Sequence, residues 1–356
     1  MSEKVETLQS FSLNCPAPLT AHATIQMAHG GGGRMSQRLI ADVFTRAFDN
    51  PWLRELHDGA VFNFGNERLA FTTDGHVVRP LFFPGGNIGS LAVHGTVNDL
   101  AVCGAMPVGL SASFVLEEGY SIDELRRIVD SMSEAASGIP VPIATGDTKV
   151  VDRGKGDGVY ICTSGIGRVH PRARISPRHA KPGDVILLSG EIASHGIAVL
   201  SARENLGLEG LIASDTASIV ALTWPLFDEF GEHVHVLRDP TRGGVAAVLN
   251  EIALAAQVSV EIEETEIPVS EPVMGACELL GLDPLYVANE GKCVAVVSPD
   301  VADGILAHWR QNPLGMKATR LGVVGNGQPG LVTMRSRIGA TRVVDLLSGE
   351  QLPRIC

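Results

Sequence analysis

The chain has 356 residues, 45% of them apolar, enough for two packed domains without disulfide or metal staples. Its formal net charge of -12, with Arg and Lys scattered, excludes a phosphate-backbone binder and makes nucleic acid an unexpected partner. Cysteines at 15, 103, 162, 277, 293 and 356 form no CxxC pair, the start MSEKVETLQS is acidic, and no apolar run nears the ~20 residues of a membrane span, which together point to a soluble protein of the reducing cytoplasm.

Residues 1–24 carry no periodic pattern and are expected to be a flexible extension. Residues 34–48 read as a helix, with Met35, Leu39, Val43 and Phe44 on one side. A strand at 68–73 leads into Asp74, an apolar helix at 89–103 follows, and 107–116 is a strand. Ser121 and Glu124 form an S-x-x-E capping box for a helix over 121–137, which Gly138 and Pro140 stop. Strands are expected at 141–145 and 158–163. A Pro-, Gly- and base-rich stretch at 166–182 marks the domain boundary.

The second half alternates again. It reads as strand 184–189, helices near 195–206 and 216–230, strand 233–238, helix 243–257 and strand 258–262. A helix near 271–280, strand 292–298, a helix over 301–311 capped by Asp300, and strands 318–324 and 331–335 complete it. The fold class is therefore α+β, a mixed α/β arrangement in two domains. Gly325, Gly327 and Gly330 spell GxGxxG, but Pro329 and the strand-like LVTM follow, so the stretch is expected to be a hairpin turn. Cys103, Cys162, Cys277 and Cys293 lie in apolar stretches and read as small core residues. The closing EQLPRIC shows no pattern for packing.

Five aspartates recur near turns, strand ends or small polar residues: Asp58 in HDGAV, Asp74 in TTDGHVV, Asp99 in GTVNDLAV, Asp147 in GDTKVV and Asp239 in LRDPTRGG. Carboxylate oxygens suit hard cations such as Mg²⁺. Each aspartate taken alone is more often a turn or cap residue, and spacing does not make them converge. AHGGGGRM (28–35) sets four glycines before a helix, where backbone N–H groups can approach phosphate and Arg34 adds a charged fork. A flexible loop is the competing reading. No GxxxxGK[ST] occurs, which excludes a P-loop NTPase.

Cys356 is the last residue of the chain. It is not a prenylation signal, which needs Cys four places from the end. A thiolate is a strong nucleophile. The eleven residues from Leu346 onward reach up to ~35 Å when extended. A mobile tail at 346–356 is thus able to carry a sulfur-bound group into a cleft.

AHGGGGRM, FFPGGNIG (82–89), GTVNDLAV (95–102), GDTKVV (146–151), LRDPTRGG (237–244), CELLGLD (277–283), NEGK (289–292) and the closing PRIC resemble the HypE family of hydrogenase maturation proteins. That family sits in the ATP-binding superfamily of aminoimidazole ribonucleotide synthetase. The resemblance implies an ATP-binding and dimerisation domain at 25–172, an α/β domain at 173–345, and the reactive tail. It implies a homodimer binding ATP and Mg²⁺, and an enzyme that dehydrates an S-carbamoyl group on its C-terminal Cys to a thiocyanate. A HypF-like carbamoyltransferase would load the thiol, and a HypC–HypD complex would take the cyano group for the iron of [NiFe]-hydrogenase. Carried over residue by residue, Cys356, Glu290 and Lys149 are catalytic, with Glu290 as base. Gly31, Gly32, Arg34, Asn98 and Thr148 contact ATP, and Asp58, Asp74, Asp99, Asp147 and Asp239 serve Mg²⁺ or phosphate. The family's Asp before His-Gly is Ser194 here, and neither Ser194 nor His195 receives a role. A small-molecule kinase or synthetase on the same scaffold is the alternative.

Overall fold

Two sheets position everything that follows. The structure, a computed structural model, describes residues 23–349 and 352–356, so Cys15 and nearly all of the expected extension fall outside the described residues. The first sheet has the order β1-β2-β7-β5-β6, from β1 (Ala60–Phe64), β2 (Glu67–His76), β5 (Ala105–Glu117), β6 (Ile143–Val151) and β7 (Val159–Val169). A two-stranded ribbon, β3 (Phe82–Phe83) and β4 (Gly86–Asn87), precedes the first long helix. Side chains of β7 alternate between core and surface, as the two-residue period of a half-covered sheet requires. The covered face lies under α2 (Ile88–Val102) and α3 (Ile122–Ser137), where Ile88, Leu91, Val97 and Ile128 meet Val159 and Ile161. The opposite face leaves Phe71, Val108 and Ile166 exposed. Cys162 points to that face too, and so is exposed rather than a core residue.

The second sheet has the order β14-β13-β10-β12-β8-β11-β9. Its strands are β8 (Val185–Leu188), β9 (Val234–Arg238), β10 (Ser259–Glu263), β11 (Val294–Val297), β12 (Thr319–Gly325), β13 (Val332–Arg335) and β14 (Thr341–Val343). Strands β8 and β11 are buried on both faces. One face packs on α4 (Ser194–Glu204), α6 (Gly244–Ala256) and α7 (Glu271–Leu280). The other packs on α5 (Val220–Glu229) and α8 (Ala302–Trp309), in a cluster that also contains Leu100, Val102 and Cys103 of the first half. One apolar core therefore spans the junction between the halves.

The expected helix at 34–48 is α1 (Arg34–Leu39), continued by a π-helical segment Ile40–Thr45. Ser121 caps α3 by accepting from the Glu124 backbone N–H at 3.3 Å. Asp300 does not cap α8, whose N-cap is Val301, because its carboxylate lies 3.7 Å from His233 Nδ1. The GxGxxG stretch is a turn but not a hairpin, since β10 lies between the two strands it joins. The short strands β1, β3, β4 and β14 lie outside the expected set.

His94 on α2 meets Thr216 Oγ1 at 3.1 Å, and burial pushes its pKa down to about 4. The folded state therefore favours the neutral ring. The stability this confers is complete above the unfolded value of 6.5 and is lost as pH falls toward 4. Between those limits the loss amounts to roughly 3 kcal/mol at most. Denaturant midpoints at pH 7 and pH 5 are expected to differ less in His94→Gln than in the parent chain. An unchanged difference would remove His94 as a source of acid sensitivity.

Candidate active site at the C-terminal thiol

Four of the five aspartates converge. Asp58 precedes β1, Asp74 lies in β2, Asp99 on α2, and Asp239 immediately after β9. One carboxylate oxygen from each of Asp58, Asp99 and Asp239 lies within 4.8 Å of the others. Thr72 Oγ1 donates to Asp99 Oδ2 at 2.7 Å and contacts the Asp58 carbonyl at 2.9 Å. Arg238 Nε stands 2.7 Å from Asp58 Oδ2, while its Nη2 donates to Glu251 Oε2 at 2.6 Å.

Burial raises the pKa of Asp99 and Asp239 well above the usual carboxylate range, and neighbouring carboxylates push the same way. Burial acts on Asp58 as well, but Arg238 and His57 outweigh it and hold that group low. Three packed carboxylates that resist ionising together form an all-oxygen donor set, which a divalent hard cation would relieve of its repulsion. Asp58, Asp99 and Asp239 therefore fit Mg²⁺.

Asp58, Asp74, Asp99 and Asp239 line a cavity of about 190 Å³ together with Glu290, Arg242 and Cys356. Glu290 is 4% exposed, and its Oε1 is a buried oxygen without a hydrogen-bond partner among the described residues. Its backbone is fixed from both sides. The N–H donates to Asp215 Oδ1 at 3.2 Å, and the carbonyl accepts from Asn98 Nδ2 at 3.1 Å. Lys292, a possible partner in sequence, instead lies 3.1 Å from Asp215 Oδ2, so Glu290 lines the cavity without that cation as its partner. Burial, then the charges of Asp74, Asp239 and Asp215, raise its pKa well above normal, with Arg242 opposing.

The tail is packed, which corrects the reading that EQLPRIC has nothing to bury. Ile355 is 4% exposed, and Leu352 and Cys356 pack against the same cluster as Ile88 and Leu91. The Val77 N–H donates to the Cys356 carbonyl at 3.0 Å, and the Arg79 N–H to the Arg354 carbonyl at 3.2 Å. His195 is fully buried, with Nε2 2.8 Å from the Ile355 carbonyl oxygen and Nδ1 2.7 Å from Ser214 Oγ. A carbonyl only accepts, so Nε2 carries the proton and Nδ1 accepts from the Ser214 hydroxyl.

The remaining expectations fare differently. Gly31 lines a neighbouring cavity of about 140 Å³ that Cys356 also borders. Gly32 has φ +74°, and a Cβ there would meet the Arg242 carbonyl oxygen at 2.7 Å, so only glycine lets the loop close on Arg242. Arg34 does not reach the cavity, because its guanidinium pairs with Asp345. Asn98 is 1% exposed and its amide is consumed internally, donating to Ala217 and Glu290 carbonyls and accepting from Ile219 N–H. It positions Glu290 and offers no free atom to a nucleotide.

Asp147, Thr148 and Lys149 lie apart from the cavity within a single chain. They belong to the exposed edge strand β6, where Lys149 Nζ bonds Asp147 at 2.8 Å and 2.5 Å. Sequence reasoning missed Arg242, Asp215 and His195. Arg242 was legible, since it stands in LRDPTRGG three places beyond Asp239. Asp215 meets Glu290, and His195 the tail, only through folding.

A family model described as AIR synthase related protein, N-terminal domain, matches residues 56–169, and its C-terminal-domain counterpart matches residues 181–334. A carbamoyl dehydratase HypE from Rhizobium leguminosarum bv. viciae is 52% identical over 336 residues, spanning 94% of this chain and 96% of its own. The carbamoyl dehydratase HypE of Escherichia coli (strain K12) is 45% identical, over 93% of this chain and 99% of its own. Among solved structures, a HypE–HypF complex superposes with a TM-score of 0.83 at 47% identity, covering 87% of this chain and 99% of that one. HypE in complex with ATP gives 0.79 at 47% identity, covering 94% and 100%. Two AIR-synthase-related domains, this level of identity and a cysteine-ended tail seated beside an acidic cavity agree, and the chain belongs to the HypE family of carbamoyl dehydratases.

Proposed function

We propose that this protein uses ATP to dehydrate an S-carbamoyl group on Cys356 to an S-cyano group, which supplies cyanide ligands to [NiFe]-hydrogenase iron. The observation that carries the reading is the shared cavity of Cys356, Glu290 and four aspartates. A carboxamide oxygen leaves poorly, so ATP first phosphorylates it. Glu290, which lines the same space and whose Oε1 has no hydrogen-bond partner among the described residues, takes the nitrogen proton as phosphate departs and the C≡N bond closes. The products are thiocyanate, ADP, phosphate and a proton, and atoms balance with no further reactant. Mg²⁺ held by Asp58, Asp99 and Asp239 would neutralise charge on the transferred phosphoryl group. Arg242 lines the same cavity, and its positive charge would act in the same sense.

A HypF-like carbamoyltransferase loads the thiol in the cytoplasm, and a HypC–HypD complex removes the cyano group. The test is direct: carbamoylated protein given ATP should lose the mass of one water from its C-terminal peptide. ATP hydrolysis with that peptide unchanged would sink the reading.

The exposed edge β6 and the apolar open face with Phe71, Val108 and Ile166 support a homodimer, in which Asp147, Thr148 and Lys149 reach the nucleotide of the neighbouring subunit. An exposed ion pair such as Lys149–Asp147 adds little to stability. Lys149→Ala is thus expected to leave the melting temperature unchanged while slowing dehydration at least about tenfold, through a lost phosphate contact. Mixing Lys149→Ala chains with Glu290→Gln chains should restore part of the activity, since one mixed site is intact. No recovery in mixed dimers would place Lys149 and Glu290 at the same subunit's site.

A further inference from the structure

The tail is held as a peptide ligand is held. Its backbone pairs with the segment that follows β2 through two hydrogen bonds, from Val77 and Arg79 N–H to the Cys356 and Arg354 carbonyls. Side-chain contacts are added at Leu352, Arg354 and Ile355. Ile355 fills an apolar pocket, Leu352 packs across the two halves, and Arg354 pairs with Asp157. Two buried or part-buried donors read the carbonyls, His195 at Ile355 (2.8 Å) and Arg203 Nη2 at Arg354 (2.7 Å). All of these contacts fall between Leu352 and Cys356, and none needs the peptide bond that joins the tail to the second domain.

We propose that the cleft is a sequence-specific receptor for an L-P-R-I-C terminus, and that it dehydrates an S-carbamoyl cysteine at the end of a separate peptide of that sequence. The inference rests on the dehydratase reading above and extends it to a substrate supplied in trans, with Asp157 and the apolar surroundings of Leu352 and Ile355 setting specificity while His195 and Arg203 hold the backbone. The chemistry is unchanged: ATP phosphorylates the thiocarbamate oxygen, phosphate leaves, and peptide thiocyanate, ADP, phosphate and a proton result. Tethering then serves only concentration, which for a short flexible linker is of millimolar order.

The test uses the full chain carrying Ile355→Glu and Cys356→Ala, so that its own tail loses both anchor and thiol. This protein receives ATP and the S-carbamoyl form of the peptide EQLPRIC at about 1 mM, a level matched to tethering. The peptide is expected to lose the mass of one water at a rate that saturates with its concentration, while a peptide of shuffled order does not react. Adding His195→Ala should raise the half-saturating concentration about tenfold, the effect of one buried hydrogen bond, with a smaller change in limiting rate. If Ile355→Glu unfolds the chain, Arg354→Glu with Cys356→Ala vacates the cleft by setting like charge against Asp157.

An unreacted peptide, beside a parent chain that dehydrates its own carbamoylated Cys356, overturns the proposal and leaves the dehydratase reading standing. Failure of the parent chain as well would overturn both. Equal reaction of the shuffled peptide would overturn the sequence specificity.

Discussion

Replacing Cys356 by alanine is expected to abolish carbamoyl acceptance and, with it, all supply of cyanide ligands to hydrogenase. The loss is complete because, among the described residues, no other thiol lines the cavity that holds Glu290 and the aspartates. Cys103, Cys277 and Cys293 are buried, and Cys162 lies on the open face of the first sheet. The change removes one part-buried sulfur from a chain end, so stability should shift by no more than about 0.5 kcal/mol. Mass spectrometry of the protein after incubation with a carbamoyltransferase and its substrates reads the first effect, and a thermal melt reads the second. Hydrogenase maturation surviving in this variant would refute the assignment of the thiol.

Glu290→Gln comes next in size. The substitution keeps shape and burial but removes the proton acceptor, and losing general-base catalysis typically costs 10²–10⁴-fold in rate. ATP binding should persist, because the cation-fitting carboxylates Asp58, Asp99 and Asp239 are untouched. Folding should not suffer, since burial and three neighbouring acids already disfavour charge at this position. The pH profile supplies a second readout. The carboxylate is the active form and its pKa is raised, so the parent's dehydration rate falls as pH drops through that raised value. Glu290→Gln should lose this limb. Single-turnover dehydration measured across pH decides it, and an unaltered rate would move the base elsewhere.

Much of the architecture was readable because its signals are local. Ser121 followed by Glu124, and Ile128, Met132 and Ala136 at helical spacing, describe α3 without reference to anything distant. The alternation in β7 and the all-apolar runs of β8 and β11 did the same for strands. Asp300 misled because a side chain that suits a helix cap found His233 instead. Cys162 misled because alternation does not tell which face of a sheet is covered.

The sequence alone marked out the candidates for chemistry: the aspartates in their turns, NEGK, the glycine loop and the cysteine of PRIC. Only the tertiary structure decided which of them meet. Asp58 and Asp239 stand 181 positions apart, yet their oxygens approach within 4.8 Å, because β2, α2 and β9 are brought together by a core shared between the halves. Asp147 and Lys149 carry equally suggestive motifs but sit on an edge strand, so a single chain leaves them outside. Residue identity is a local property of the chain, whereas convergence depends on how two sheets pack through side chains hundreds of positions apart. That packing also seats a patternless tail, by giving Ile355 a pocket and His195 a carbonyl to hold.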